Sequence, residues 1–273
     1  MMITISDVKD IFFGLALVLS FMSCLSYIAF FVSLKEVLRS SGRVILVFSG
    51  VAQTLYILDR ALFLGNIPVT TTHEALVFFA WAVTWSFLLF RWRHSVKNLG
   101  TFLSLLVFLI LVVASFLPKN IIPLSPTEQT LWLPFHAGVS LLAYGFLGIA
   151  FLAGVMYLLQ ERELKKKRFG YFFSRLPSLD SLDMLNNHCL TVGFSFLTLG
   201  IVAGVLWARI VHGFWQCDWT VIPWLFYLVQ MHQRLTVGWR GKRAATMAII
   251  GFILAMFTLW GLAYFSGGVH GNV

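Results

Sequence analysis

The sequence predicts an all-α, polytopic membrane protein, and three observations predict it. Of 273 residues, 59% are hydrophobic and 11% are charged, against about 25% charged in an ordinary soluble domain. Apolar runs close to the length of about 20 residues that crosses a bilayer core recur along the chain. Between those runs, 16 of the 20 lysines and arginines fall in alternate connections. A soluble fold needs a charged skin, and these residues cannot supply one. A soluble enzyme, a disordered chain and a secreted disulfide scaffold are therefore excluded. Membrane strands are excluded because the runs are too long and do not alternate.

Eight segments follow in order. The first is Ile11–Leu34. Asp7 and Asp10 stand before it, where a cleavable signal peptide would carry basic residues, so a retained helix is expected. Lys35, Arg39 and Arg43 follow it. The second, Val44–Leu64, is interrupted near its end by Asp59 and Arg60. The third, Ala75–Phe90, is short, leans on flanking aromatics and arginine, and is followed by Arg91, Arg93 and Lys97. The fourth is Leu99–Leu117. The fifth, His136–Leu159, precedes Arg162, Lys165, Lys166, Lys167, Arg168 and Arg175. The sixth is Cys189–Ala208. The seventh, Thr220–His232, is short and precedes Arg234, Arg240, Lys242 and Arg243. The eighth is Ala244–Phe265.

Only Lys9, Arg60, Lys119 and Arg209 are left for the opposite side. The positive-inside rule then makes the odd-to-even connections cytoplasmic and puts both termini outside. The net charge of +9 thus belongs to topology and does not call for a nucleic-acid partner. The run Lys165–Arg168 reads as a topology signal and a contact with membrane lipid headgroups, with a protein-docking site as the alternative. No repeat or linker divides the chain, so residues 1–273 are expected to form a single transmembrane domain in a bacterial inner membrane.

No nucleophile–base pair, phosphate loop or carboxylate cluster appears, and the expectation is a protein that is not an enzyme. Cys24, Cys189 and Cys217 form no CxxC pair. Seven histidines stand out in so apolar a chain. His136 opens the fifth segment and His270 lies just past the eighth, both on the outer side. His73 and His212 are also outer, His94 is inner, and His188 and His232 lie near the inner ends of the sixth and seventh segments. Two imidazoles facing each other across haem give six-coordinate iron; a single copper or zinc ion, or plain interfacial side chains, are the alternatives. Trp207, Phe214, Trp215, Trp219 and Trp224 gather around Asp218, as an interfacial aromatic belt or as a platform for a porphyrin. Arg60 either snorkels to the interface or meets an anionic group such as a haem propionate.

Several stretches together resemble the cytochrome c assembly superfamily of membrane haem-handling proteins (CcsA, ResC, CcmC), and most closely its HemX-type branch. They are Arg60 with Gly65-Asn66-Ile67-Pro68 and Glu74 through Trp81; His136 with the glycine-rich run to Tyr157; Leu176 through Asp183 with Gly193 and Gly200; Trp224 through Tyr227, His232, Arg234-Leu235-Thr236 and Gly238-Trp239-Arg240-Gly241; and Gly268-Val269-His270. The resemblance covers roughly residues 55–271. It implies haem bound non-covalently, as b-type haem, beside a tryptophan-rich outer loop flanked by two histidine ligands. By position the ligands fall on His136 and His270, and the loop on His212 through Trp219, with Trp215, Asp218 and Trp219 in place. Cys217 stands where the second tryptophan is expected and the proline after Asp218 is missing. That shortened loop favours the HemX-type branch, which implies a role in haem biosynthesis. Two alternatives accompany it: a membrane regulator of glutamyl-tRNA reductase, and an assembly factor presenting haem to apocytochrome beside other cytochrome c assembly proteins. His232, His188 and His73 are the reserve ligands. A quinone-linked four-helix subunit ranks last, because no helix carries two histidines about 13–14 residues apart at the depths of two stacked haems.

The topology has a direct test. A compartment reporter inserted at Lys165–Arg168 is expected to read cytoplasmic and one fused after Val273 to read external; matching signals from the two would contradict the eight-helix reading.

Overall fold

The computed structural model describes residues 5–65, 68–69, 71–93, 98–119, 132–167, 173–212 and 220–261. Eight α-helices account for nearly all of them: α1 (Ile5–Ser33), α2 (Glu36–Leu64), α3 (Thr72–Arg93), α4 (Leu99–Ser115), α5 (Trp132–Lys165), α6 (Leu179–His212), α7 (Val221–Thr236) and α8 (Lys242–Met256), the last running into a π-helical turn at Phe257–Gly261. No strand occurs among the described residues. Each expected segment meets one helix. Six of the eight are long and apolar enough to cross a membrane; α4, at 17 residues, is apolar but shorter, and α7 has 16.

Most helices outrun their apolar segments at the charged ends. α2 starts at Glu36, so Arg39 and Arg43 lie within it. α6 starts at Leu179, ten residues before the expected Cys189. Backbone hydrogen bonding continues through polar residues that hydropathy discards. Local signals fix several ends. Ser178 caps α6, its Oγ accepting the Ser181 N–H at 3.3 Å. Gly65 ends α2 in the left-handed conformation, φ 69°. Thr71 and Glu74 form a capping box at the start of α3: the Glu74 N–H donates to Thr71 Oγ1 at 3.2 Å and the Thr71 N–H to Glu74 Oε2 at 3.3 Å.

The helices form two groups. α1–α4 pack together, α6, α7 and α8 gather on the other side, and α5 touches α3, α4, α6 and α8. Without a solvent-driven hydrophobic effect between helices in lipid, close approach and interhelical hydrogen bonds hold such a bundle, and the interfaces follow that rule. Ser23, Ser26 and Ser49 donate to the carbonyls of Gly42, Leu38 and Ala16 at 2.8, 3.1 and 3.0 Å, stitching α1 to α2. Thr54 Oγ1 on α2 accepts the indole N–H groups of Trp81 and Trp85 on α3 at 2.8 and 3.3 Å. Gly145 lies against the Ala82 backbone and Gly154 against the Ala245 carbonyl, so α5 approaches α3 and α8 closely.

The fully buried Tyr27 ring is a wedge between α2 and α4. A Cβ on Gly42 would stand 3.0 Å from it, and one on Gly100 would overlap it. Gly100→Val is expected to lower stability by about 1–3 kcal/mol, read from thermal unfolding in detergent. Adding Tyr27→Ala should then cost less than in the parent, because the pair shares one space.

Candidate functional site

The end of α2, the start of α3 and the end of α4 are tied by buried polar groups. Arg60 on α2 donates through Nε to Glu74 Oε1 on α3 at 2.7 Å, with the two side chains 7% and 0% exposed. Its Nη2 donates to the Lys119 carbonyl just past α4, at 3.3 Å. His73, also fully buried, has both ring nitrogens engaged: Nδ1 with the Ala114 carbonyl at 2.8 Å and Nε2 with the Tyr56 hydroxyl at 3.0 Å. A carbonyl only accepts, so Nδ1 carries the hydrogen and Nε2 receives the tyrosine's. Phe13 packs on that imidazole at 4.9 Å.

His136 differs. It lies in the first turns of α5, with Nδ1 2.6 Å from the Gly200 carbonyl on α6. That bond again puts the hydrogen on Nδ1. In the neutral ring it leaves the Nε2 lone pair uncommitted among the described residues. This is the arrangement in which a histidine serves as a metal ligand, its second nitrogen oriented by a backbone carbonyl. The position is set by glycine. A Cβ on Gly204 would come within 2.7 Å of His136 Cε1 and Nδ1, and one on Gly200 would overlap the Ser140 hydroxyl. Gly193, Gly200 and Gly204 thus let α6 lie directly on α5.

α3 and α5 run parallel, since Ala82 meets Gly145 and Phe78 meets Gly138. Carried back to the helix starts, this register brings His136 to about the level of Glu74 and its partner Arg60.

At the opposite end, α6, α7 and the α7–α8 turn meet at Asp183. Arg234 donates to Asp183 Oδ2 at 2.8 Å and to Asn186 Oδ1 at 3.2 Å, while the Gly241 N–H donates to Asp183 Oδ1 at 2.9 Å. His188 and His232 are exposed. α6 and α7 pair Thr198 with Trp224 (2.9 Å) and Thr191 with Met231 (4.0 Å). That antiparallel register sets the two histidines within about two turns of one level, on the outside of the bundle. Trp224 is half-buried, its indole N–H bonded to Thr198 and its ring stacked on Phe194 at 6.0 Å. His270, Trp215, Asp218 and Trp219 lie outside the described residues.

The structure therefore buries Arg60 and His73 in two neighbouring polar clusters, tied to Glu74 and to Tyr56, and sets His136 against α6. Sequence reasoning missed Glu74 as the partner of Arg60: the Thr71-x-x-Glu74 capping box marks it as a helix-start residue without naming what it pairs with. It also missed Gly200 and Gly204 as the seat of His136; their spacing from Gly193 was the available signal.

Known proteins bear on this geometry. Residues 69–270 match the family model described as cytochrome C assembly protein. A relative from Chlamydomonas reinhardtii, named cytochrome c biogenesis protein CcsA, is 30% identical over 253 residues, covering 88% of this chain and 69% of its own. A protein of the same name from Prochlorococcus marinus subsp. pastoris is 28% identical, covering 84% and 82%. Among solved structures, the cytochrome c heme lyase CcmF shares the fold with TM-score 0.66 at 15% identity; the match spans 97% of this chain and half of that longer one.

The buried ion pair has its own test. Glu74→Gln removes the negative partner and strands the Arg60 charge, so a loss of about 3–5 kcal/mol is expected in thermal unfolding. Arg60→Leu with Glu74→Leu should be milder than Glu74→Gln alone.

Proposed function

The chain belongs to the cytochrome c assembly protein family, and from that premise we propose that it binds haem at the outer end of the bundle and holds it for cytochrome c assembly. The observation that carries the reading is the Nδ1 hydrogen bond of His136 to the Gly200 carbonyl, which leaves Nε2 for iron. His270 is the proposed second axial ligand, with Trp215 and Trp219 against the porphyrin and Asp218 in the same loop. Bound this way, haem would supply a low-spin iron centre as non-covalent, b-type cargo. For Arg60 the proposal is narrower than the sequence suggests. Its carboxylate partner here is Glu74, so a propionate would have to share the guanidinium or displace that residue.

The matched relatives carry the name cytochrome c biogenesis protein, which favours an assembly factor over the HemX-type reading expected from the shortened loop. Regulation of glutamyl-tRNA reductase finds no support in these comparisons, and the proposed protein partners are other cytochrome c assembly proteins. That the chain handles haem without being an enzyme is part of the proposal; the name heme lyase belongs to the longer CcmF. A multi-pass membrane protein with eight spans and external termini, in a bacterial inner membrane, completes it. Short α4 and α7 would span within the bundle. The charge alternation supports the orientation.

Haem content and spectrum test this. The parent protein is expected to give a low-spin, six-coordinate visible spectrum. His136→Ala or His270→Ala should leave five-coordinate iron or lose haem, and the double variant should be empty. A full low-spin spectrum in the double variant would overturn the assignment. His73 would compete poorly, having both nitrogens engaged.

A second site is proposed at the exposed His232, with His188 as its partner, for haem in passage. His232→Ala should change haem per protein while abundance stays normal; unchanged haem content returns His232 to a structural role.

A further inference from the structure

The inner ends of α2 and α3 carry three arginines that share one exposed acid among the described residues. Arg39, Gly42, Arg43 and the fully buried Leu46 share one face of α2, spaced three, four and seven residues apart. Gly42 on that face touches the Tyr27 ring, so Arg39 and Arg43 flank Tyr27. Arg91 reaches the same place from α3. Gly50 lies against Thr84 and Trp85, and seven residues further along each antiparallel helix stand Arg43 and Arg91. The Tyr27 hydroxyl feels the charges of Arg91, Arg43 and Arg39, and Arg91 feels those of Arg43 and Arg39. The acid recorded beside them is Glu36, which meets Arg39 at 3.3 Å with its own side chain 71% exposed. Arg39 Nε, Arg43 Nε and Tyr27 Oη are buried and have no hydrogen-bond partner among the described residues.

Converging guanidinium groups repel one another, and buried donors without acceptors are costly. Both penalties are relieved by a single anion with several acceptor oxygens, for which the guanidinium fork is suited. Two other arginines at this end have partners. Arg234 is held by Asp183, and Arg175 donates to the carbonyls of Phe31 and Val32 at the end of α1.

We infer that Arg39, Arg43 and Arg91 hold the phosphate of an anionic phospholipid headgroup from the cytoplasmic leaflet, with the Tyr27 hydroxyl as a further donor. The surroundings favour a lipid over a soluble anion. Val44 and Leu89, at the same level of α2 and α3 and just inward of Arg43 and Arg91, are 49% and 62% exposed, and apolar side chains exposed beside a basic cluster at a helix end suit acyl chains beneath a headgroup. The inference rests on the proposed orientation and is independent of haem.

The full-length protein, purified in detergent, is offered phosphatidylglycerol, and lipid retained through native mass spectrometry is counted. The parent is expected to keep one phosphatidylglycerol under conditions that strip phosphatidylcholine. Arg39→Gln/Arg43→Gln/Arg91→Gln should lower retention at least tenfold, while Arg240→Gln/Lys242→Gln/Arg243→Gln, at the same end of the bundle, should leave it within twofold. Equal retention in the arginine variant overturns the site, and equal loss in both variants reduces it to general surface charge. If the triple variant does not fold, Arg43→Gln alone is read, with at least a threefold loss expected and no loss overturning the site. Thermal shift in phosphatidylcholine nanodiscs separates the sources. Inorganic phosphate that stabilises the parent as much as phosphatidylglycerol does would make this a soluble-anion site and overturn the lipid assignment.

Discussion

The hydrogen bond from His136 Nδ1 to the Gly200 carbonyl is the contact on which the functional account depends. It is made between helices, so it exists only because α5 and α6 approach closely along their length. That approach needs Gly193, Gly200 and Gly204 on α6, where any larger side chain would meet α5. The bond gives the histidine a defined tautomer. His73 shows the opposite case: its second nitrogen is spent on Tyr56, which makes it a tie between α2, α3 and α4. Two histidines near the same end of one bundle are thus separated into proposed ligand and strut by what their second nitrogen meets.

The rest of the bundle follows from satisfying polar groups away from water. Serine and threonine hydroxyls bond to carbonyls and indoles of neighbouring helices. Among the described residues, two ion pairs with largely buried partners stand at opposite ends, Arg60–Glu74 joining α2 to α3 and Arg234–Asp183 joining α7 to α6. Each is extended by backbone groups: the Lys119 carbonyl and Thr71 N–H at one end, the Gly241 N–H at the other. A charge at membrane depth is costly when alone, and neither of these is. The contrast with Arg39, Arg43 and Arg91, which share one exposed acid, is what marks that cluster out.

Much of this architecture was legible in the sequence. Apolar runs gave the order and number of the helices, because burial in lipid and burial in the bundle both demand apolar side chains. The ends were less legible. Nothing in the hydropathy of Glu36–Arg43 or Leu179–His188 separates a helix that continues past the apolar core from a loop, whereas Ser178 and the Thr71–Glu74 box are local signals that do. At the site, His136 was legible as a polar residue at a helix start. The partner of Arg60 was not, since pairing across fourteen residues depends on the turn between α2 and α3. Nor was the seat of His136 on α6, because composition reports a glycine without reporting what it faces. Trp224 was legible only as a member of an aromatic cluster; its packing against Phe194 and Thr198 was not.

The central claim is that α6 presents His136 to iron, and it can be tested without touching a ligand. Gly204→Ala adds one methyl group where the His136 ring now lies and leaves both proposed ligands in place. Displacing a group that orients a ligand weakens metal binding by about 10–100-fold. Haem titration of Gly204→Ala, followed in the visible spectrum beside a thermal unfolding curve, is therefore predicted to show weakened binding of that order and a shift away from the low-spin form, with the protein still folded. Unchanged affinity and an unchanged low-spin spectrum would contradict the account.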